Sequence, residues 1–153
     1  MHRRKNIEQK LLLKTTNQLE KEKQVKFSGF GGSSDNGLTM LSLSFETDKD
    51  YDIPTGRELI VYCAEEFLKN INSDEKIRPY LQNYPFDSKN IKVSIYPQNK
   101  NNLRNKLEII SFSHGKIKYY NYDENKNLKI IYEENYEDAL NIVQKQKKEK
   151  NEI

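Results

Sequence analysis

Chemistry at neutral pH usually recruits histidine, cysteine or paired carboxylates, and this chain offers few of them. Its two histidines are His2, in a basic leading segment, and His114, in the turn Ser113-His114-Gly115-Lys116. Two histidines so far apart are a poor start for a metal site. Cys63 is the only cysteine, which removes any intrachain disulfide, Cys-based metal site or redox pair. It falls on an apolar helical stripe, where a thiol acts as a small hydrophobe and not as a nucleophile. Asp48, Asp50 and Asp52 have the spacing that opens a calcium loop. Ile53 then stands where that loop needs Gly, and Leu59 where it needs a bidentate Glu. The three are read as a solvated acidic loop leading into a helix N-terminus, where carboxylates are favoured.

Recognition chemistry remains. Arg78 lies in Arg78-Pro79-Tyr80-Leu81-Gln82-Asn83-Tyr84-Pro85-Phe86, the stretch richest in Pro and Tyr. Arg78, Tyr80 and Tyr84 are the candidate binding residues: a guanidinium for a carboxylate or other anion, beside two phenols. The competing role is structural, with Arg78 pairing with an acid and fixing a connection that Pro79 and Pro85 stiffen. The structural role is expected first. Tyr119, Tyr120, Tyr122 and Tyr132 fall on neighbouring strands and could stack bases, or pack across strands with their hydroxyls in water. The run that marks sheet-face RNA readers is missing; His114-Gly115-Lys116-Ile117 is the nearest stretch. No catalytic residue, metal ligand or cofactor site is assigned.

The elements that must position these residues centre on Pro54–Phe86. Ile60, Cys63, Ala64, Phe67, Leu68 and Ile71 form one stripe of a 3.6-period helix. Thr55-Gly56-Arg57-Glu58 has the form of a capping box that starts it. Asn72-Ser73-Asp74-Glu75 ends it and caps a shorter helix, which Pro79 limits. Leu38–Glu46 alternates as a half-buried strand, as do stretches from Ile91, Leu107, Ile117 and Leu128. A last helix follows Asn135, with Tyr136, Ala139, Leu140 and Val143 as its stripe. This order predicts an α+β fold: a mainly antiparallel sheet of about five strands, with the central and C-terminal helices on one face.

Charge is uneven. Residues 1–26 carry +5 and residues 144–153 carry +2, so the segment between them, at −4, is mildly acidic. Nucleic acid would therefore have to meet the tails and not a basic groove on the folded part. Residues 3–24 have helix-forming composition but a thin stripe: Ile7, Lys10, Leu11 and Lys14 share a face, while Leu12 and Leu19 lie elsewhere. Gly29-Phe30-Gly31-Gly32-Ser33-Ser34-Asp35-Asn36-Gly37 is read as a flexible loop. It lacks the preceding strand, following helix and Gly-Lys-Ser/Thr of a phosphate loop. The resulting division is a basic, mobile or helical segment over 1–26, one α+β domain over 27–143, and a basic tail over 144–153. Both tails are expected to be dispensable for folding. No apolar run is long enough to span a membrane or to form a signal-peptide core, so the chain as written is expected to be soluble and cytoplasmic.

The sequence resembles a family of small uncharacterised bacterial proteins, some of which carry an N-terminal export leader. The matching pieces are Arg57-Glu58-Leu59, Phe67-Leu68-Lys69-Asn70-Ile71-Asn72, Ile77-Arg78-Pro79-Tyr80-Leu81, Tyr84-Pro85-Phe86, Asn90-Ile91 and Gly115-Lys116-Ile117. They cover under half the chain. The resemblance implies no activity and transfers no catalytic residue. It implies export if the true start lies upstream. The functional expectation is a non-enzymatic protein-binding or accessory module. The alternative is a nucleic-acid accessory protein acting through the basic tails and Tyr-rich strands.

Overall fold

The computed structural model describes residues 2–98 and 106–151. Three helices, α1 (His2–Lys23), α2 (Ile53–Ser73) and α3 (Tyr136–Asn151), accompany six strands. The strands are β1 (Lys26–Ser34), β2 (Leu38–Thr47), β3 (Ile91–Pro97), β4 (Ile109–Ser113), β5 (Lys116–Tyr122) and β6 (Leu128–Asn135). They form one sheet in the order of the sequence. Every pairing is antiparallel except β2 with β3. That parallel pair requires a crossover, and α2 supplies it.

The alternation in the strands sorts one face from the other. Leu41, Leu43 and Phe45 of β2, Ile91, Val93 and Ile95 of β3, and Ile110 and Phe112 of β4 are buried. They meet the stripe Ile60, Cys63, Ala64, Phe67 and Ile71 of α2 in one core cluster. Leu68, expected in that stripe, is only half-buried. A Cβ added at Gly56 would lie 2.9 Å from Leu107 Cδ1 and 3.0 Å from Ile110 Cδ1, so the helix sits close on β4. α3 joins the same face. Tyr136 stacks on Phe112 at 4.6 Å and donates to Glu65 Oε2 of α2 at 2.6 Å. Beyond Val143 the helix continues to Asn151 as a solvated basic end.

Three sequence expectations change. The sheet has six strands, because most of the Gly-rich stretch read as a loop is β1. It pairs with β2 from Lys26 to Ser34. Its glycines allow close approach: a Cβ at Gly31 would stand 3.1 Å from Ser42 Oγ, and one at Gly32 would stand 3.1 Å from the Met40 carbonyl. Only Asp35-Asn36-Gly37 turns, with positive φ at Asn36 and Gly37.

The second change is α1, which is part of the core. Leu11, Leu12 and Leu19 are at most 2% exposed. Thr15 and Thr16 complete the dry face, their hydroxyls donating back to the Leu11 and Leu13 carbonyls. The stripe looks thin in sequence because two of its five positions are threonines. α1 also runs antiparallel to α2 through polar contacts. Tyr62 donates to Glu22, Gln18 to Glu66 Oε1 at 2.7 Å, and buried Asn70 to Thr15 Oγ1 and Gln18 Oε1, both at 3.0 Å.

The third change is the start of α2. Asp52, and not Thr55, is the N-cap, and the capping box pairs Asp52 with Thr55. Asp52 Oδ1 accepts from the Thr55 backbone at 3.0 Å and its hydroxyl at 2.7 Å. These bonds hold the Asp52 carboxyl below its ordinary pKa. A depressed carboxylate contributes stability above its unfolded pKa and loses it as pH falls through the folded one. Asp52→Ala should cost about 1 kcal/mol at neutral pH, and that difference should shrink below about pH 4. Thermal melts of both proteins across pH 2.5–7 check this; a pH-independent difference would contradict it.

Candidate binding groove

The connection from α2 to β3 is built around Asn72. Its side chain clamps Phe86 at both backbone groups, accepting from Phe86 N at 2.8 Å and donating to Phe86 O at 2.9 Å. Its own carbonyl, one of the orphan acceptors at the helix C-terminus, accepts from Arg78 Nη2 and from Tyr84 Oη, both at 3.2 Å. The Arg78 guanidinium lies over the Tyr84 ring, 4.3 Å from its centroid. Arg78 and Tyr84 are thus brought together, and a cation placed at a helix C-terminus complements the macrodipole. The partner of Arg78 is a helix carbonyl where an acid was expected. The expected second helix is shortened to a 3₁₀ turn, Arg78–Tyr80, preceded by Asp74 accepting from Lys76 N and Ile77 N. Phe86 is 3% exposed. Phe86→Ala should cost about 3 kcal/mol or more. Arg78→Ala, which removes one exposed bond and a ring contact, should cost about 1 kcal/mol. Urea midpoints check the order; equal losses would contradict it.

Tyr80 points elsewhere. With Pro79, Asp74, Glu75 and Lys76 it lines one wall of a groove of about 1250 Å³. The other wall is a single face of α1: Arg3, Asn6, Ile7, Lys10, Leu11 and Lys14. The face seen in sequence, Ile7, Lys10, Leu11 and Lys14, is therefore the one left open beside the connection. Buried Leu11 and half-buried Ile7 and Tyr80 give the groove an apolar floor. Among the described residues, Arg3, Lys10, Lys14 and Lys76 form no ion pair. Asp74 and Glu75 are the acids of the lining.

The other sequence candidates are placed as follows. Cys63 is fully buried, and burial pushes its thiol up to about 12, so it stays protonated. His114 occupies the β4–β5 turn with positive φ and is exposed. Among the described residues no group of three His, Cys, Asp or Glu could hold a metal ion, and no helix is long and apolar enough to cross a membrane. The four tyrosines divide. Tyr119 is buried and Tyr132 stands opposite it, whereas Tyr120 and Tyr122 lie on the alternate positions of β5.

One cluster went unread in the sequence. Arg57 Nε donates to Glu134 at 2.9 Å and 3.2 Å, and the Tyr119 hydroxyl donates to the same carboxylate at 2.6 Å. The side chains are 12% and 5% exposed. Burial and the bond to Glu134 raise the Tyr119 pKa, keeping it neutral. The trio ties α2 to β5 and β6. A signal was present: Arg57 continues the α2 stripe at three residues before Ile60, and Glu134 follows Tyr132 by two. No family model, curated protein or solved structure matches this chain, so the groove is characterised by its own geometry alone.

Proposed function

We propose that this chain is a non-enzymatic binding module whose partner is another protein, received in the groove between α1 and the 73–80 connection. One observation carries the reading: a helix integral to the core leaves a face open over apolar side chains, with cations that form no ion pair among the described residues. Clefts that combine an apolar floor with a few convergent polar groups are the usual recognition sites. Tyr80 belongs to this site. Arg78 and Tyr84 support it from behind by fixing the end of α2.

A second reading is nucleic-acid binding on the sheet face that no described helix covers. It is supported by Ile109 standing opposite Tyr120, with Tyr96 and Lys92 on the same face of neighbouring β3. Stacking rings beside lysines suit single strands. It is the weaker reading because Lys118 stands opposite Glu133, and Glu46 stands opposite Tyr96.

The test is native capture by the tagged full-length chain after nuclease treatment, followed by lysine acetylation footprinting of the complex. Protection of Lys10, Lys14 and Lys76, with Lys145 and Lys148 still reactive, is the expected result. Protection of Lys92 and Lys118 instead, or capture abolished by nuclease, would overturn it in favour of the second reading.

A further inference from the structure

From the charge and shape of the groove we infer that its occupant is an acidic, amphipathic segment of the partner protein, bound in extended form. This rests on the protein-binding reading above and adds the chemistry of the ligand. Lys10 and Lys14 are one helical turn apart on α1 and both exposed, and Arg3 lies about two turns before Lys10 on the same face. Lys76 faces them from the opposite wall. Four cations that form no ion pair among the described residues, converging from two elements on one concavity, make a region of positive potential that an anionic ligand complements.

The acids refine the ligand. Against these four cations the lining sets two acids, Glu75 and Asp74, whose carboxylate accepts from the backbone at Lys76 and Ile77. The groove is thus net positive. Its floor is apolar: Ile7, Leu11 and Tyr80 require that the ligand also present hydrophobic side chains. A polyphosphate satisfies the cations and leaves the floor bare; a purely apolar segment does the reverse. An extended strand of alternating acidic and apolar residues satisfies both, because successive side chains point to opposite sides. From Arg3 to Lys14 the face rises about 17 Å, the reach of about five extended residues.

The test uses the full chain and labelled probes in fluorescence anisotropy: a short peptide of repeated Glu-Leu, its Gln-Leu analogue, and oligo-dT. The variants are Lys10→Glu/Lys14→Glu in the groove and Lys145→Glu/Lys148→Glu on α3, all at exposed positions and each checked by thermal melting. The acidic peptide should bind, weaken at least tenfold with the groove variant, stay unchanged with the α3 variant, and weaken with added salt. Equal binding of the Gln-Leu peptide would overturn the acidic occupant and leave the protein-binding module intact. Oligo-dT binding more tightly, with the same tenfold loss, would show a charge-only site and overturn both the acidic peptide and the role of the floor. No binding by any probe would overturn the inference, and the footprint on the captured complex then decides the module separately.

Discussion

A chain lacking residues 2–23 should not fold. Leu11, Leu12 and Leu19 are at most 2% exposed, and fully burying one leucine contributes about 1.5–3 kcal/mol. Three of them contribute roughly 5–9 kcal/mol, comparable with the whole net stability of about 5–15 kcal/mol expected of a domain. The loss goes further, because removing α1 also uncovers the side of α2 it packs on and takes away the Thr15 and Gln18 acceptors of the Asn70 amide. Circular dichroism and a urea melt of residues 24–153 against the full chain check this. A cooperative melt with an unchanged midpoint would restore the reading of residues 1–26 as dispensable.

The second large effect should come from the Arg57–Glu134 pair. Removing one partner of a buried pair leaves an uncompensated charge and costs about 3–5 kcal/mol. Arg57→Ala and Glu134→Ala should each fall in that range. Glu134→Ala also frees the Tyr119 hydroxyl, which donates to that carboxylate. Because both mutations remove the same interaction, the double variant should cost far less than the sum of the singles. Urea denaturation of the four-member cycle measures it. Single losses below about 1 kcal/mol would mean the pair is solvated.

The sequence was legible where periodicity was pure. The α2 stripe apart from half-buried Leu68, the alternation in β2 and β3, and the α3 face apart from half-buried Leu140 are apolar runs with one period, and they are buried as read. The reading failed where a residue type served an unusual end. Thr15 and Thr16 hide a dry face because their hydroxyls satisfy themselves on the helix. Glycines in β1 look like loop residues but permit close strand pairing. The cap of α2 moved because Asp52 competes better than Thr55 for the first free N–H groups. The site was half legible. Tyr80 and the Lys10 and Lys14 face were visible as residues, but their meeting depends on the antiparallel docking of α1 on α2, which local pattern does not encode. Arg78 and Tyr84 were visible as a pair, and their shared acceptor, the Asn72 carbonyl, was not.

The groove as the recognition site is the central claim, and backbone amide NMR shifts on titrating the full-length protein with the Glu-Leu peptide test it most directly. Shifts concentrated at Ile7, Lys10, Leu11, Lys14, Lys76 and Tyr80 are predicted. Shifts at Lys92, Tyr96 and Tyr120 with the groove amides unmoved would contradict it.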